Sequence, residues 1–229
     1  MKTAADTVFQ PLLAIDPGAP MITHYDQAAP SRIELSVTST ANWAAKIAGM
    51  FRDELGVMPG DKIVCDLPAH WLTAGVLTGA WWAGAEVLTE PADDAVAVVT
   101  VADRLDHHST DVEALLMTTD PMGRPLSSAG VDVPPGVTDL AEACRIHPDS
   151  FVPSGTGGSA ALDGKTLQDL VDPALAGRAL VAGSQRGDVV SVLARVFASG
   201  GTAVLVTGAS ADDPSVADLA ATERTTLTL

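Results

Sequence analysis

The feature that most constrains this chain is a segment that it contains twice. Gly60 to Glu90, GDKIVCDLPAHWLTAGVLTGAWWAGAEVLTE, reads as strand, turn, helix, glycine and returning strand. Lys62 to Leu67 carries Ile63, Val64 and Cys65 as a short apolar run behind a Pro-Gly-Asp turn, as a strand buried on both faces does. Pro68 suits the first turn of a helix. Ala69 to Ala83 holds no formal charge and stops at Gly84, so a helix buried nearly all round is expected, ended by a residue that tolerates the left-handed conformation. Ala85 to Leu88 is the returning strand. Displaced by 116 residues, Gly177 to Val206 aligns with this segment without a gap: Gly84 falls on Gly200, Trp81 on Phe197, Ala80 on Val196, Leu88 on Val204 and Cys65 on Val181. The pattern implies an α/β fold of two related βαβ-containing halves, with mostly parallel sheets flanked by helices.

The rest of the chain is placed around these two units. Ala4 to Ile15 sets Val8, Phe9, Leu12 and Ile15 on one helical face, a lid helix closed by Pro17 and Gly18. Met21 to Tyr25 and Ile33 to Val37 read as a hairpin. Thr38 to Leu55 follows as a helix with Trp43, Ile47, Met50, Phe51 and Leu55 in a broad apolar stripe. Ala95 to Val101 and Ala114 to Thr118 read as strands, Pro121 to Val137 as a Pro-, Gly- and Ser-rich loop, and Val137 to Ile146 contains a short helix. After the second unit a helix on Val216, Leu219 and Ala220 precedes a terminal strand, Thr225 to Leu229. The expected organisation is a first half over residues 1–105, a connector over 106–150 and a second half over 151–229, joined as one compact domain.

With 47% hydrophobic residues among 229, the chain has ample material for a buried core. Its 13 basic residues against 29 acidic ones give a formal charge of −16, which disfavours nucleic acid and anionic membranes, because both demand a basic face. The run Leu67 to Ala85 contains Pro68, His70 and three glycines, and its helical part falls short of the roughly 20 residues of a membrane span. Cys65 and Cys144 are the only cysteines, both in elements expected to be buried, so no disulfide framework is expected. The start of the chain has no continuous apolar leader, and a cytoplasmic location is the expectation.

Four stretches invite a chemical reading. Ser154, Gly155, Thr156, Gly157 and Gly158 bring three glycines and two hydroxyls together, a composition that wraps a phosphate in backbone amides and equally makes a surface loop. Gly158 to Thr166, GSAALDGKT, approaches the nucleoside triphosphate loop GxxxxGK[ST] at Gly164, Lys165 and Thr166, but Ser159 stands where the first glycine belongs. A phosphotransferase using Lys165 is therefore the weaker alternative. His107 and His108, beside Asp103, Asp106 and Asp111, read as a solvated acidic loop, since adjacent histidines point apart and no metal-ligand spacing supports them. His70, at the head of the buried helix, reads as an ordinary satisfied histidine, and Ser184 in GSQRG lacks the GxSxG frame of a hydrolase nucleophile.

From Glu34 to Glu90, the long helix, LGVMPGDKIVCDLP and the buried helix ending AGAEV resemble the amino-terminal half of adenylate-forming enzymes, the AMP-binding superfamily of acyl-CoA synthetases, luciferases and peptide-synthetase adenylation domains. That family follows such a segment with a phosphate-gripping loop, [YF]TSGTTGxPK, and FVPSGTGGSAA, Phe151 to Ala161, stands in its place. Ser154, Gly155, Thr156 and Gly158 match; Gly157 replaces the second threonine, Ala160 the proline and Ala161 the lysine. The short length and altered loop resemble an actinobacterial-type group distantly similar to AMP-binding enzymes. The resemblance implies ATP or AMP with Mg as ligand, held at Ser154, Gly155, Thr156, Gly157 and Gly158. It also implies that the adenine-binding segment, the ribose-binding Asp and the small domain carrying the catalytic Lys would lie beyond Leu229. The expectation is thus a nucleotide- or adenylate-binding remnant without full acyl-CoA synthetase activity. The alternative is a non-catalytic interaction protein, with a homodimer or a protein partner covering the edges of a shortened fold.

Overall fold

The computed structural model describes residues 2–155, 160–183 and 188–229. It contains two sheets with helices between them. The first βαβ unit is β3 (Lys62–Cys65), α3 (Trp71–Ala83) and β4 (Glu86–Leu88); the second is β10 (Arg178–Ala182), α5 (Asp188–Ala198) and β11 (Thr202–Thr207). Before the first unit come α1 (Ala4–Ile15), β1 (Pro20–Asp26), β2 (Ser31–Ser36) and α2 (Val37–Asp53). Between the units lie β5 (Ala95–Thr100), β6 (Glu113–Leu116), β7 (Val137–Asp139), α4 (Leu140–Ala143), β8 (Ala160–Leu162) and β9 (Lys165–Thr166), and α6 (Pro214–Thr222) and β12 (Leu227–Thr228) close the chain.

One sheet has the order β12-β10-β11-β1-β2, and the other β7-β6-β5-β3-β4-β8-β9. All pairings are parallel except β1 with β2 and β8 with β9. The sheets interleave along the chain: β1 and β2 join the second unit's sheet, whereas β6 to β9 extend the first unit's sheet on both sides.

The offset of 116 residues holds at the level of single hydrogen bonds. Ala85 N donates to Ala80 O and Gly84 N to Trp81 O; at the same offset Gly201 N donates to Val196 O and Gly200 N to Phe197 O. Glu86 N to Asp61 O is likewise repeated by Thr202 N to Gly177 O. Gly84 and Gly200 take φ of 89° and 76°, the left-handed helix ending that a side chain resists.

The central core explains the uncharged stretch. Every residue of α3 except Trp82 is buried, because α3 packs on β1 of one sheet and β3 of the other as well as on α2. Phe9 of α1, Ile47 and Phe51 of α2, and Leu193 and Phe197 of α5 share this cluster with the inward residues Ile63, Cys65, Ala97 and Val99 of one sheet and Ala179, Val181 and Leu205 of the other. The helix begins later than Pro68 suggests. His70 is its N-cap, its ring nitrogen Nδ1 accepting from Leu72 N at 3.2 Å, and Pro68 lies in the preceding loop with its carbonyl bonded by the Thr73 hydroxyl. A histidine cap needs only one unprotonated ring nitrogen, a signal that the proline obscures. No helix among the described residues is long and apolar enough to cross a membrane.

The outer faces of the two sheets differ. Behind the second unit, α6 lays Val216, Leu219 and Ala220 on Leu180, Val204 and Val206. Behind the first unit, Val64, Ala95, Val98 and Ala114 meet Leu88, Leu105, Val112 and Val137, from β4, a 3₁₀ segment, an irregular stretch and the edge strand, with no α-helix among the described residues in this cluster.

Candidate functional site

The glycine-rich loop is described at its two shoulders, and both are fastened to the first βαβ unit or its neighbouring helix. On the incoming side the Phe151 ring lies 6.3 Å from the Trp82 ring, with the Arg52 guanidinium 4.5 Å above it. Arg52 Nη1 donates to Val152 O at 2.9 Å while Nε holds Asp53 Oδ1 at 2.6 Å, so the hydrogen bond to Asp53 raises the pKa of Arg52 further. Gly155 faces Pro59 so closely that a Cβ there would stand 3.3 Å from its Cγ. Ser154 and Gly155 are exposed. Thr156, Gly157 and Gly158 lie outside the described residues, as does Ser184.

On the outgoing side the loop enters β8, where Leu162 pairs with Val87 and the Trp81 indole donates to Ala161 O at 2.8 Å. Asp163 and Gly164 then form a two-residue hairpin turn with φ of 46° and 76°. The Asp163 carboxylate accepts from both Thr89 N and Thr89 Oγ1 at 2.9 Å, and Gly164 N donates to Glu86 Oε1 at 2.6 Å. Leu-Asp-Gly-Lys is a strong hairpin signal, and sequence reasoning missed it by reading the same residues for a nucleotide loop. This corrects the phosphotransferase alternative. Lys165 and Thr166 stand on the return strand β9, followed by a three-residue 3₁₀ turn, whereas a triphosphate loop must open onto a helix amino terminus.

The described shoulders fix where the intervening span begins and ends and leave Ser154 and Gly155 exposed beside it. Among the described residues no three His, Cys, Asp or Glu side chains gather to hold a metal. Neither cysteine supplies a nucleophile at neutral pH, since burial pushes both thiols up to about 12.

The histidines are placed differently from expectation. His108 is drawn inward: its side chain is 6% exposed, with Nε2 3.1 Å from Asp66 Oδ2, and Arg104 Nε approaches the same oxygen at 2.9 Å. Asp66 was the partner no sequence spacing could reveal, because it lies at the end of β3, 42 residues away. Asp103, Asp106 and Asp111 form no metal-binding group with the histidines among the described residues. His70 is satisfied on one side only. Its Nε2 is buried without a hydrogen bond, and its ring stands edge-on to His24 at 5.1 Å. Burial, reinforced by His24, pushes the His70 pKa down to about 3.

This architecture is that of the adenylate-forming ligases. The acyl-CoA synthetase of Brucella canis superimposes with a TM-score of 0.76 at 14% identity, over 99% of this chain and 46% of that one. The anthranilate CoA ligase AuaEII gives 0.70 at 12%, over 99% and 49%, and a Mycobacterium tuberculosis fatty acyl CoA synthetase 0.68 at 15%, over 100% and 49%. The chain thus spans about half the length of these solved structures. No protein-family model matches the sequence. The TIGR03089 family protein of Mycobacterium tuberculosis (strain ATCC 25618 / H37Rv) is 40% identical over 176 residues, 74% of this chain and 70% of that protein. The chain belongs to the TIGR03089 family.

Proposed function

We propose that this chain binds an adenine nucleotide or an acyl adenylate through the loop Ser154 to Gly158. The observation that carries the reading is the fastening of both shoulders of a glycine-rich span to the first βαβ unit and the helix α2 beside it, through Arg52 and the Phe151–Trp82 contact before it and Trp81, Glu86 and Thr89 after it, with Ser154 and Gly155 left exposed. A span held at both ends loses less conformational entropy on closing round a phosphate than a free loop does. Two proteins of the same fold support the choice of ligand: AuaEII was solved with anthranoyl-AMP, and a fatty acyl-adenylate ligase from L. pneumophila with acyl adenylate and pyrophosphate. The reading assigns binding to this chain, not the complete ligase reaction, because it spans about half of those enzymes.

Calorimetric titration with Mg-ATP, AMP and a non-hydrolysable acyl-adenylate analogue tests it. Saturable binding is expected, weakened about tenfold or more when Thr156→Val and Gly157→Val remove a hydroxyl and close the amide cradle, with the melting temperature unchanged. A folded wild type that binds none of the three overturns the reading. Exposed apolar side chains, among them Met58, Ile146 and Val152 at 61%, 81% and 79%, favour a second reading, self-association of the chain. A clean monomer in sedimentation at micromolar concentration removes it.

A further inference from the structure

Each sheet ends in two edge strands, and the four are unequal. β12 and β9 have two residues each and β7 has three, and shortness of this kind keeps an edge from templating another strand. β2 has six, and among the described residues its only strand neighbour is β1. The strand alternates between its faces. Ile33 and Leu35 turn inward and rest half-buried on the central core, while Arg32 and Glu34 stand exposed on the outer face. There Arg32 Nη2 donates to Glu34 Oε2 at 2.6 Å and to Glu223 Oε1 at 2.9 Å, and Arg178 Nη2 donates to Glu223 Oε2 at 2.7 Å. Two guanidiniums thus face two carboxylates. On a chain of formal charge −16, this balanced patch is a place where two copies meet with little local repulsion.

The order of side chains along β2 restricts how it can pair with itself. Two copies joined edge to edge about a two-fold axis run their strands antiparallel, and keeping inner face beside inner face lets the register move only in steps of two residues. Two such registers pair five of the six residues, and the others pair three or fewer. The first of the two sets Glu34 directly opposite Glu34 of the second copy, a destabilising like-charge pair. The second sets Arg32 opposite Glu34 of the second copy and Glu34 opposite its Arg32, with Ile33 against Ile33 on the axis. This register brings opposite charges together on the outer face and isoleucines together on the inner one.

We propose that β2 is a dimerisation edge, to which a second copy of this chain adds its own β2 in the Arg32-to-Glu34 register, joining two five-stranded sheets into one. The ladder pairs backbone groups that the edge otherwise leaves to water, the Ile33 side chains meet across the axis, and the two Arg32 to Glu34 contacts hold the register. The proposal rests on the second reading above, self-association, and assigns it a surface.

Sedimentation of the full chain tests it, with the wild type expected to be a dimer in the micromolar range. Arg32→Glu and Glu34→Arg each set like charges opposite one another in this register, and each should weaken dimerisation about tenfold or more, with folding checked by melting curves. Mixed in equal amounts, the two variants restore both opposite-charge contacts and should form a heterodimer about as tight as the wild-type dimer, a recovery that damage to the fold cannot produce. Ile33→Lys leaves the ion cluster intact and should give a monomer, so it carries the test if either charge variant fails to fold. The proposal is overturned if the folded variants dimerise as the wild type does, or if the two weakened charge variants do not recover on mixing. Those results leave self-association standing and remove only this surface, whereas a wild type that is monomeric at micromolar concentration removes both.

Discussion

The two βαβ units end their helices with the same backbone hydrogen bonds at an offset of 116 residues, yet one sheet is backed by α6 and the other, among the described residues, by a 3₁₀ segment and an irregular stretch. The shared part is local: a strand, a helix ended by a left-handed glycine, a strand. The part that differs is supplied by the connections. A crossover that builds no helix leaves a cavity over the outer face of its sheet. What the unit repeats is its framework, and what individualises each copy is the layer laid over it.

The largest expected effect comes from a position where the framework is not interchangeable. Ala85 in the first unit corresponds to Gly201 in the second, where a Cβ would collide with the Leu175 carbonyl oxygen and stand 2.7 Å from that of Gly177. Gly201→Ala should cost about 3 kcal/mol or more in chemical denaturation, whereas the reverse change, Ala85→Gly, should cost about 1 kcal/mol or less. Equal costs would mean that the backbones of the two units are less alike than their hydrogen bonds.

An effect of intermediate size belongs to the first unit through its cap. The folded pKa of His70 lies near 3, below the 6.5 of the unfolded chain, so the unfolded state takes up the proton first as pH falls. The contribution of His70 should therefore be level above pH 6.5 and decline below it, by up to about 1.4 kcal/mol per pH unit, with His24, also lowered by burial, adding in the same sense. Although burial pushes Glu223 upward, hydrogen bonds from Tyr25, Arg178 and Arg32 outweigh it and hold its carboxyl down to about 2, so its stabilising contribution is lost only below about pH 4.5. Denaturation curves from pH 7 to 5 isolate the histidines. His70→Asn keeps a capping acceptor and should flatten this limb; an unchanged slope would show that His70 is not the group that titrates.

The smallest difference compares the outer layers. Val216→Ala, on the inner face of α6, should cost about 1.5 kcal/mol, and Val112→Ala, on the outer face of the first sheet, about 0.5 kcal/mol. Equal losses would indicate that the first sheet is covered as firmly as the second.

Much of this fold was legible because its signals are periodic or local. The uncharged α3, the glycines Gly84 and Gly200 and the stripe of α2 each declare an element within a dozen residues. The hairpin at Asp163 and Gly164 was equally local, but it was masked by a competing pattern in the same residues. What stayed hidden is contact between distant segments. Nothing near His108 in the chain announces Asp66, and nothing in SGTGG announces that Arg52 and Thr89 hold the segments on either side. Strand order was hidden too, since β4 and β5 follow one another closely yet lie on opposite sides of β3.

The six-residue link between β4 and β5, residues 89–94, also has a consequence for the lengths this chain tolerates. Running back along the four residues of β3 and across two strand spacings demands about 16 Å before any rise over the sheet, and six extended residues reach only about 20 Å. A deletion there has almost no slack to draw on and would drag β5 out of register. An insertion costs little loop-closure entropy and falls into space that is already vacant. The link is therefore a one-way door for change in length: this chain can take a longer connection on this face but not a shorter one.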